Sequence, residues 1–317
     1  MYRIGIDLGG TNIAAGLVNE NYQIVRKDSV PTNAQRDPAL IVDDIAMLCK
    51  KLCASEGLKV TDVAAIGIAS PGIANHDDGV VEYANNLPFR KLRICEMLRE
   101  RTGVKNVHVE NDANAAAWGE AVAGAARGTK KSVMITLGTG VGGGIIIDGK
   151  VFSGFNYAGG ELGHTVIEKD GVPCSCGRKG CWEAYSSATA LIEMTKEKMA
   201  ETRDTVMWEM CENGAKKVSG RTAFKAAKMG DKAGLEVVEK YIDYLACGIT
   251  NMVNIFQPEV LCIGGGVCGE GDYLLEPLKK IVDRDQYGTA AHDDKTQLKI
   301  AELGNDAGII GAALLGI

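Results

Sequence analysis

Aromatic side chains are scarce in this chain: three Trp, nine Tyr and five Phe among 317 residues. A core with so few rings has to be closed by aliphatic side chains and close backbone approach, and the 40 glycines supply places where backbones can meet or turn sharply. Proline is rarer still, at seven, and nowhere clusters, so no Pro-rich linker or low-complexity stretch interrupts the chain. No apolar run is long enough to cross a bilayer, which takes ~20 residues in a helix; the longest glycine-tolerant one covers 307–317. A basic block is missing too. Acidic residues outnumber Lys and Arg by 41 to 35, for a net charge of −6, which argues against the positive footprint a nucleic-acid partner requires. The opening Met1-Tyr2-Arg3 is unlike a leader, and ten cysteines in that setting fit a reducing cytoplasm better than a disulfide framework.

What is present is a plan of strands, glycine turns and helices that occurs twice. At 317 residues the chain exceeds the ~100–200 typical of one core. Two lobes are therefore expected, 1–120 completed by 304–317, and 121–303, with the boundary near 117–128. The sequence opens on a strand at 2–8, turns at Gly9-Gly10-Thr11-Asn12 and resumes at 13–18. The same plan returns as strand 133–137, turn Gly138-Thr139-Gly140 and strand 145–147, the mark of an internal repeat. Leu8-Gly9 aligns with Leu137-Gly138, but Asp7 meets Thr136, so only the first copy carries a carboxylate. Ile41, Ile45, Leu48 and Leu52 recur near every 3.6 positions and predict an amphipathic helix over 38–54; Cys49 and Cys53, one turn apart in it, read as packing residues. Further helices are expected over 113–123, where alanine dominates, 185–200, 233–256 and 308–315, and strands over 63–69, 107–110 and 260–263. Strands alternating with helices make this an α/β protein.

Asp7-x-Gly9-Gly10-Thr11 places a carboxylate at the end of a buried strand and follows it with amides that no bulky side chain obstructs. Such amides and a hydroxyl can cradle phosphate oxygens while the carboxylate holds hydrated Mg2+. A Gly-Gly turn alone is equally an ordinary hairpin, but the second turn, Gly138-Thr139-Gly140, favours the phosphate reading. Gly264-Gly265-Gly266, at a third strand end, suits adenosine or a plain strand-to-helix turn. Together the three turns supply the contacts that ATP needs.

Segment 161–183 is denser in chemistry than any other. It reads Glu161-x-x-His164, nine residues, then Cys174-x-Cys176-Gly177-x-x-Gly180-Cys181-x-Glu183. Three cysteines and a histidine satisfy the tetrahedral preference of Zn2+ and leave no open position, so the metal is expected to hold the loop; ordinary buried cysteines are the alternative. Glu161 and Glu183 flank the set and the metal needs neither. Two carboxylates fixed near one point suit a polyol. Asn111-Asp112 sits where strand 107–110 gives way to a helix. A carboxylate there can accept an alcohol proton as a bond to phosphorus forms or can cap the helix, and position alone leaves both roles open. His76, His108 and His292 stand apart from other ligand types and read as surface or packing residues; Asp77-Asp78 and Asp293-Asp294 read as solvated loop.

Taken together, Asp7-x-Gly9-Gly10-Thr11, Glu110-Asn111-Asp112-Ala113-Asn114-Ala115-Ala116-Ala117, Leu137-Gly138-Thr139-Gly140-x-Gly142-Gly143-Gly144 and segment 161–183 resemble the ROK sugar kinases, in particular bacterial ROK glucokinases. The resemblance covers nearly the whole chain, and the cysteine segment is its most specific part. It implies an actin-like ATPase (ribonuclease H-like) fold of two lobes with a central cleft, ATP with Mg2+ as phosphoryl donor, and transfer to the 6-hydroxyl of glucose. N-acetylmannosamine, fructose and allose are alternative acceptors. Carried over by motif, Asp112 is the catalytic base, and Asn111, Asp112, Glu161, His164 and Glu183 contact sugar hydroxyls. Gly72 in Ser70-Pro71-Gly72 and Asn86 in Asn85-Asn86-Leu87-Pro88 also approach the sugar. His164, Cys174, Cys176 and Cys181 hold structural Zn2+, with the second ring nitrogen of His164 turned toward the sugar. Asp7, Gly9, Gly10, Thr11, Asn12, Gly138, Thr139, Gly140, Gly264, Gly265 and Gly266 then form the nucleotide site. ROK repressors resemble this chain only behind an added helix-turn-helix, which is not expected where the phosphate hairpin starts at Ile4; a sugar-sensing regulator is the remote alternative. The resemblance thus implies a cytoplasmic, glycolytic homodimer or homotetramer whose partners are a sugar and ATP, with neither nucleic acid nor membrane.

Overall fold

The computed structural model describes residues 1–212, 214–288 and 294–317, so His292 and Asp293 lie outside the described residues. β1 (Arg3–Leu8) and β2 (Asn12–Val18) form an antiparallel hairpin to which β3 (Ile24–Pro31) adds. α1 (Pro38–Ala54) leads to β4 (Ile66–Ser70), parallel to β1. A small antiparallel sheet of β5 (Ile73–Asn75), β6 (Val80–Tyr83) and β7 (Arg90–Leu92) continues through α2 (Ile94–Thr102) to β8 (Val107–Asn111), parallel to β4. The first sheet thus has the order β3-β2-β1-β4-β8. After α3 (Asp112–Ala123) come β9 (Ser132–Leu137), β10 (Val141–Ile147) and β11 (Lys150–Val151). Beyond 152–182 follow α4 (Glu183–Ser186), α5 (Ala188–Glu201), α6 (Met207–Met210), α7 (Thr222–Lys228) and α8 (Lys232–Phe256). β12 (Val260–Gly264), α9 (Asp272–Asp285), β13 (Gln297–Ile300) and α10 (Ala307–Ala313) complete the chain. The second sheet runs β11-β10-β9-β12-β13, the same order with each strand replaced by its later counterpart. The repeat inferred from two glycine turns therefore extends to whole sheets, as the resemblance implied.

The chain divides into two compact units, 1–134 with 144–160 and 301–317, and 135–143 with 161–300. In the first, Ile4, Ile6 and Leu8 of β1 share one buried cluster with Ile41, Ile45, Leu48 and Leu52 of α1, each such side chain contributing ~1.5–3 kcal/mol on burial. Cys49 and Cys53 sit in the same cluster as free thiols whose pKa burial raises, which is the packing role expected of them. α1 begins where it should: Asp37 Oδ1 accepts from Ala39 N (2.7 Å) and Pro38 takes the first helical position.

The alanines of α3 have a purpose beyond helix propensity. Ala115 of α3, Ala69 of β4 and Ala312 of α10 form their own buried cluster, and the backbones around them nearly touch. A Cβ added at Gly311 would lie 1.7 Å from Ala115 O, and one at Gly67 would lie 1.8 Å from Ala312 O. Gly311→Ala, which in an exposed helix would add ~1 kcal/mol of stability, is here expected to remove ~1–3 kcal/mol by overpacking. Urea denaturation measures this, and an unchanged or raised midpoint would show that α10 can shift off α3.

The remaining differences from the sequence pattern are local. The helix expected over 185–200 is broken at Ser187, whose Oγ accepts from Ala190 N (3.0 Å) and caps α5. The strand expected over 63–69 starts only at Ile66, after a 3-10 turn at Val60–Asp62. Among the described residues no helix is long and apolar enough to cross a membrane.

Candidate active site

In the first unit, the turn between β1 and β2 is closed by Gly9 N donating to Asn12 O (2.9 Å), and Thr32 Oγ1 donates to Gly9 O (2.6 Å). A Cβ at Gly10 would lie 3.0 Å from Asn86 Cβ, so Asn86 rests against this turn. Thr11, Asn12 and Asn86 are exposed. Asp7, at the end of β1, is half-buried. Lost hydration raises its carboxyl pKa, the charge of Asp112 raises it further, and Lys27 pulls the other way.

β8 ends in the residue that caps α3, and that residue is Asn111. Its Oδ1 accepts from Ala113 N (2.9 Å) and Asn114 N (3.1 Å), while Nδ2 donates to Gly72 O (3.0 Å). Gly72 can stand there because it has φ +88° and no Cβ, which would fall 2.0 Å from Tyr83 O. Asp112 is thereby the first helical residue rather than the cap. Solvent reaches Asp112, yet the protein around it removes enough water to raise its carboxyl pKa, opposed by the hydrogen bond from Ala113 N.

Glu110 is only 3% exposed and fully engaged. Its Oε1 accepts from Asn111 N (2.9 Å) and Asn114 Nδ2 (3.1 Å), and its Oε2 pairs with His76 Nδ1 (2.9 Å). The His76 ring meets the Tyr157 ring edge-on (5.1 Å, 80°), and Tyr157 OH donates to Asp77 Oδ2 (2.7 Å). Asn75 Nδ2 donates to Asp78 Oδ2 (2.9 Å). Asp77 and Asp78 remain exposed in a turn, as the reading of that stretch as solvated loop expected, and each also accepts one of these bonds. No local signal marked His76, because its partners are 34 and 81 positions away. His108, by contrast, is a packing residue against Gly316.

In the second unit, Gly138 N donates to Gly140 O (3.0 Å) and closes the turn between β9 and β10, and Thr189 Oγ1 donates to Thr139 O (2.8 Å). Gly140 leaves room for Glu183, whose Oε2 a Cβ would meet at 2.2 Å. That oxygen accepts from Val141 N (3.0 Å), and Glu183 Oε1 accepts from Ser175 Oγ (3.1 Å). The carboxylate expected to face a sugar therefore also ties the glycine turn to the cysteine loop. Gly265, with φ +94°, follows β12 and presses on Leu137, where a Cβ would lie 2.3 Å from its carbonyl oxygen. Gly265, next after the last residue of β12, Gly264, thus sits against the end of β9 that leads into the second turn. Gly266 opens a 3-10 turn.

Glu161 and His164 share one 3-10 turn, Leu162–His164 with Glu161 at its start. The cysteine loop folds back on it through antiparallel bridges Val166 to Cys181 and Pro173 to Lys179. One ligand atom from each of His164, Cys174, Cys176 and Cys181 lies within 4.8 Å of every other. Cys174 Sγ is 3.7 Å from His164 Nδ1, and Cys176 Sγ is 3.6 Å from Cys181 Sγ. Tetrahedral Zn2+ with ~2.3 Å sulfur bonds sets its sulfurs roughly 3.8 Å apart, so the donor set fits that ion in number, type and spacing. A cavity of about 960 Å³ in this unit is lined by Thr139, Gly140, Cys174, Ser175, Glu183 and Thr189 among others.

The sequence model of the ROK family matches residues 3–317. Over 314 residues the chain is 38% identical to a glucokinase of Halalkalibacterium halodurans, covering 98% of this chain and 94% of that one. Its structure is similar to the crystal structure of a ROK family glucokinase from Streptomyces griseus in complex with glucose and AMPPNP, at TM-score 0.80, 35% identity and coverage of 99% and 98%. A ROK family transcriptional regulator is similar at TM-score 0.85 and 25% identity, with 99% of this chain and 77% of the regulator covered.

Proposed function

The chain belongs to the ROK family and has its actin-like ATPase fold, and on that ground we propose that it is an ATP-dependent glucokinase, giving glucose 6-phosphate and ADP. The observation that carries this reading is Asp112, a solvent-reachable carboxylate relieved of helix capping by Asn111 and near enough to Asp7 to raise that residue's pKa. Asp112 accepts the 6-hydroxyl proton as that oxygen bonds to the γ-phosphorus and the bond to the departing ADP oxygen breaks. A raised pKa makes Asp112 a stronger base than an ordinary aspartate. The turns at Gly9, Gly10, Thr11 and Asn12 and at Gly138, Thr139 and Gly140 take the phosphates, and Gly264, Gly265 and Gly266 take the adenosine.

Two acidic oxygens donors near one another, Asp7 and Asp112, repel without a cation and suit Mg2+, which Asp7 would hold and which would neutralise phosphate charge. Gly72, Asn86, Asn111, Glu161, His164 and Glu183 receive the sugar hydroxyls. Zn2+, held by His164 Nδ1, Cys174, Cys176 and Cys181, would fix the ring of His164 and leave its Nε2 for the sugar. A pocket of paired acceptors penalises the wrong epimer through unpaired buried groups.

Relatives at 38% and 35% identity favour glucose, and the transcriptional regulator at 25% supports a regulatory role less well. The reading also implies a cytoplasmic enzyme of sugar breakdown that forms a dimer or tetramer. A coupled ADP-release assay over glucose, N-acetylmannosamine, fructose and allose tests it. Glucose is expected to exceed each other sugar by ~10-fold or more in kcat/KM. A higher value for another hexose reassigns the acceptor, and absence of transfer to any sugar overturns the kinase reading.

A further inference from the structure

His76 has no part in the chemistry above, yet it stands at a junction. Its Nδ1 is 2.9 Å from Oε2 of the buried Glu110, and because an ionised carboxylate only accepts, Nδ1 carries the proton. The other oxygen of Glu110 holds Asn111 N and Asn114 Nδ2, the first of which belongs to the residue that caps α3 and grips Gly72 O. On its other side the His76 ring is lodged edge-on against Tyr157. Tyr157, with φ +63°, lies in the glycine-flanked segment between Gly154 and Gly159-Gly160 that runs directly into Glu161, and its hydroxyl is anchored on Asp77.

We infer that His76 is a positioning residue for the sugar: it clamps Glu110, and through Glu110 the Asn111 cap and the Gly72 turn, while bracing the Tyr157 segment that leads to Glu161. This rests on the kinase reading. The groups that face His76 are Glu110 from β8, Asp77 from its own turn and Tyr157 from the segment after β11; Asp78 and Glu82 lie beyond them around Tyr157. The bond to Glu110, aided by the charges of Glu110 and Asp77, raises the His76 pKa against the opposing effect of burial. The charge-assisted clamp is therefore complete at low pH and weakens as pH rises through that raised pKa, since a neutral donor bonds about half as strongly.

His76→Phe keeps a ring against Tyr157 and removes the donor to Glu110, whereas His76→Gln keeps a neutral donor. His76→Phe is expected to raise the glucose KM by at least ~10-fold with a much smaller change in kcat and an unchanged KM for ATP, because a displaced set of hydroxyl partners weakens sugar binding first. Wild type is expected to show a rise in glucose KM as pH passes the His76 pKa, and His76→Gln is expected to restore most of the affinity and to flatten that rise. Wild-type activity together with a His76→Phe glucose KM within about twofold of wild type overturns this inference alone. If His76→Phe does not fold, His76→Gln decides: a pH dependence of glucose KM like that of wild type overturns the inference. Wild-type protein that phosphorylates no hexose overturns the kinase reading and this inference with it.

Discussion

Asp112→Ala is expected to lower kcat for glucose at least ~100-fold while the protein melts within a few degrees of wild type. The two halves of that expectation come from one observation. Because Asn111 supplies the capping oxygen for Ala113 N and Asn114 N, α3 keeps its cap when Asp112 is truncated, so lost turnover reports chemistry rather than unfolding. Burial raises the Asp112 pKa, and the base works only when ionised. The acid limb of kcat is therefore expected above the ~3.9 of an unperturbed aspartate, with activity falling as pH drops through the raised value. Near-normal turnover in Asp112→Ala removes Asp112 from the role. Asn111→Ala is the contrasting substitution: it strips the cap and the bond to Gly72 O together, so it should lose stability as well as rate.

Why Asp112 and the cysteine set were legible in the sequence, and Glu110 with His76 was not, follows from how far each depends on distant residues. His164, Cys174, Cys176 and Cys181 lie within one short segment, and a metal site with local ligands declares itself by spacing. α1 and α8 declare themselves by apolar period, since one face of each is buried. β3 did not, because as an edge strand it leaves most of its side chains half-exposed or exposed, and the three-residue strands β5 and β7 are too short to show any period. Which residue of Asn111-Asp112 caps α3 was undecidable from position, as both can; the hydrogen bonds of Asn111 give the cap to Asn111 and leave Asp112 free for the proposed role of base. The tie from Glu183 to Val141 N spans 42 positions and the one from His76 to Glu110 spans 34. Neither leaves a local pattern, since any polar residue brought there by the fold would look the same in the sequence.

The same locality makes the cysteine loop depend on ties made within a short stretch of chain. Segment 161–183 has no strand among its described residues; the 3-10 turn Leu162–His164, two isolated bridges and short-range backbone bonds such as Cys174 N to Arg178 O (2.8 Å) and Trp182 N to Thr165 O (2.8 Å) shape it, and the proposed ion would add to these against the ~1–2 kcal/mol of backbone entropy that each ordered residue forfeits. Cys181, fully buried, lies 3.6 Å from Cys176 on one side of the set, and Cys174, on the other, lies 3.8 Å from Glu183 Oε1. Cys181→Ala is therefore expected to empty the site and to let Glu183 and His164 drift together, lowering kcat/KM for glucose by ~100-fold or more. Metal analysis of purified wild type should find about one zinc per chain and of Cys181→Ala nearly none. Proteolysis should distinguish the two states as well, since a loop without its ion is cut where the loaded loop is not. Wild-type protein holding less than about half an equivalent of zinc at full activity would show that hydrogen bonds alone keep this loop in place. In that case Ser175 and Val141 N, which grip the Glu183 carboxylate at 3.1 and 3.0 Å, would be its true anchor, and Ser175→Ala should then reproduce the loss assigned here to Cys181.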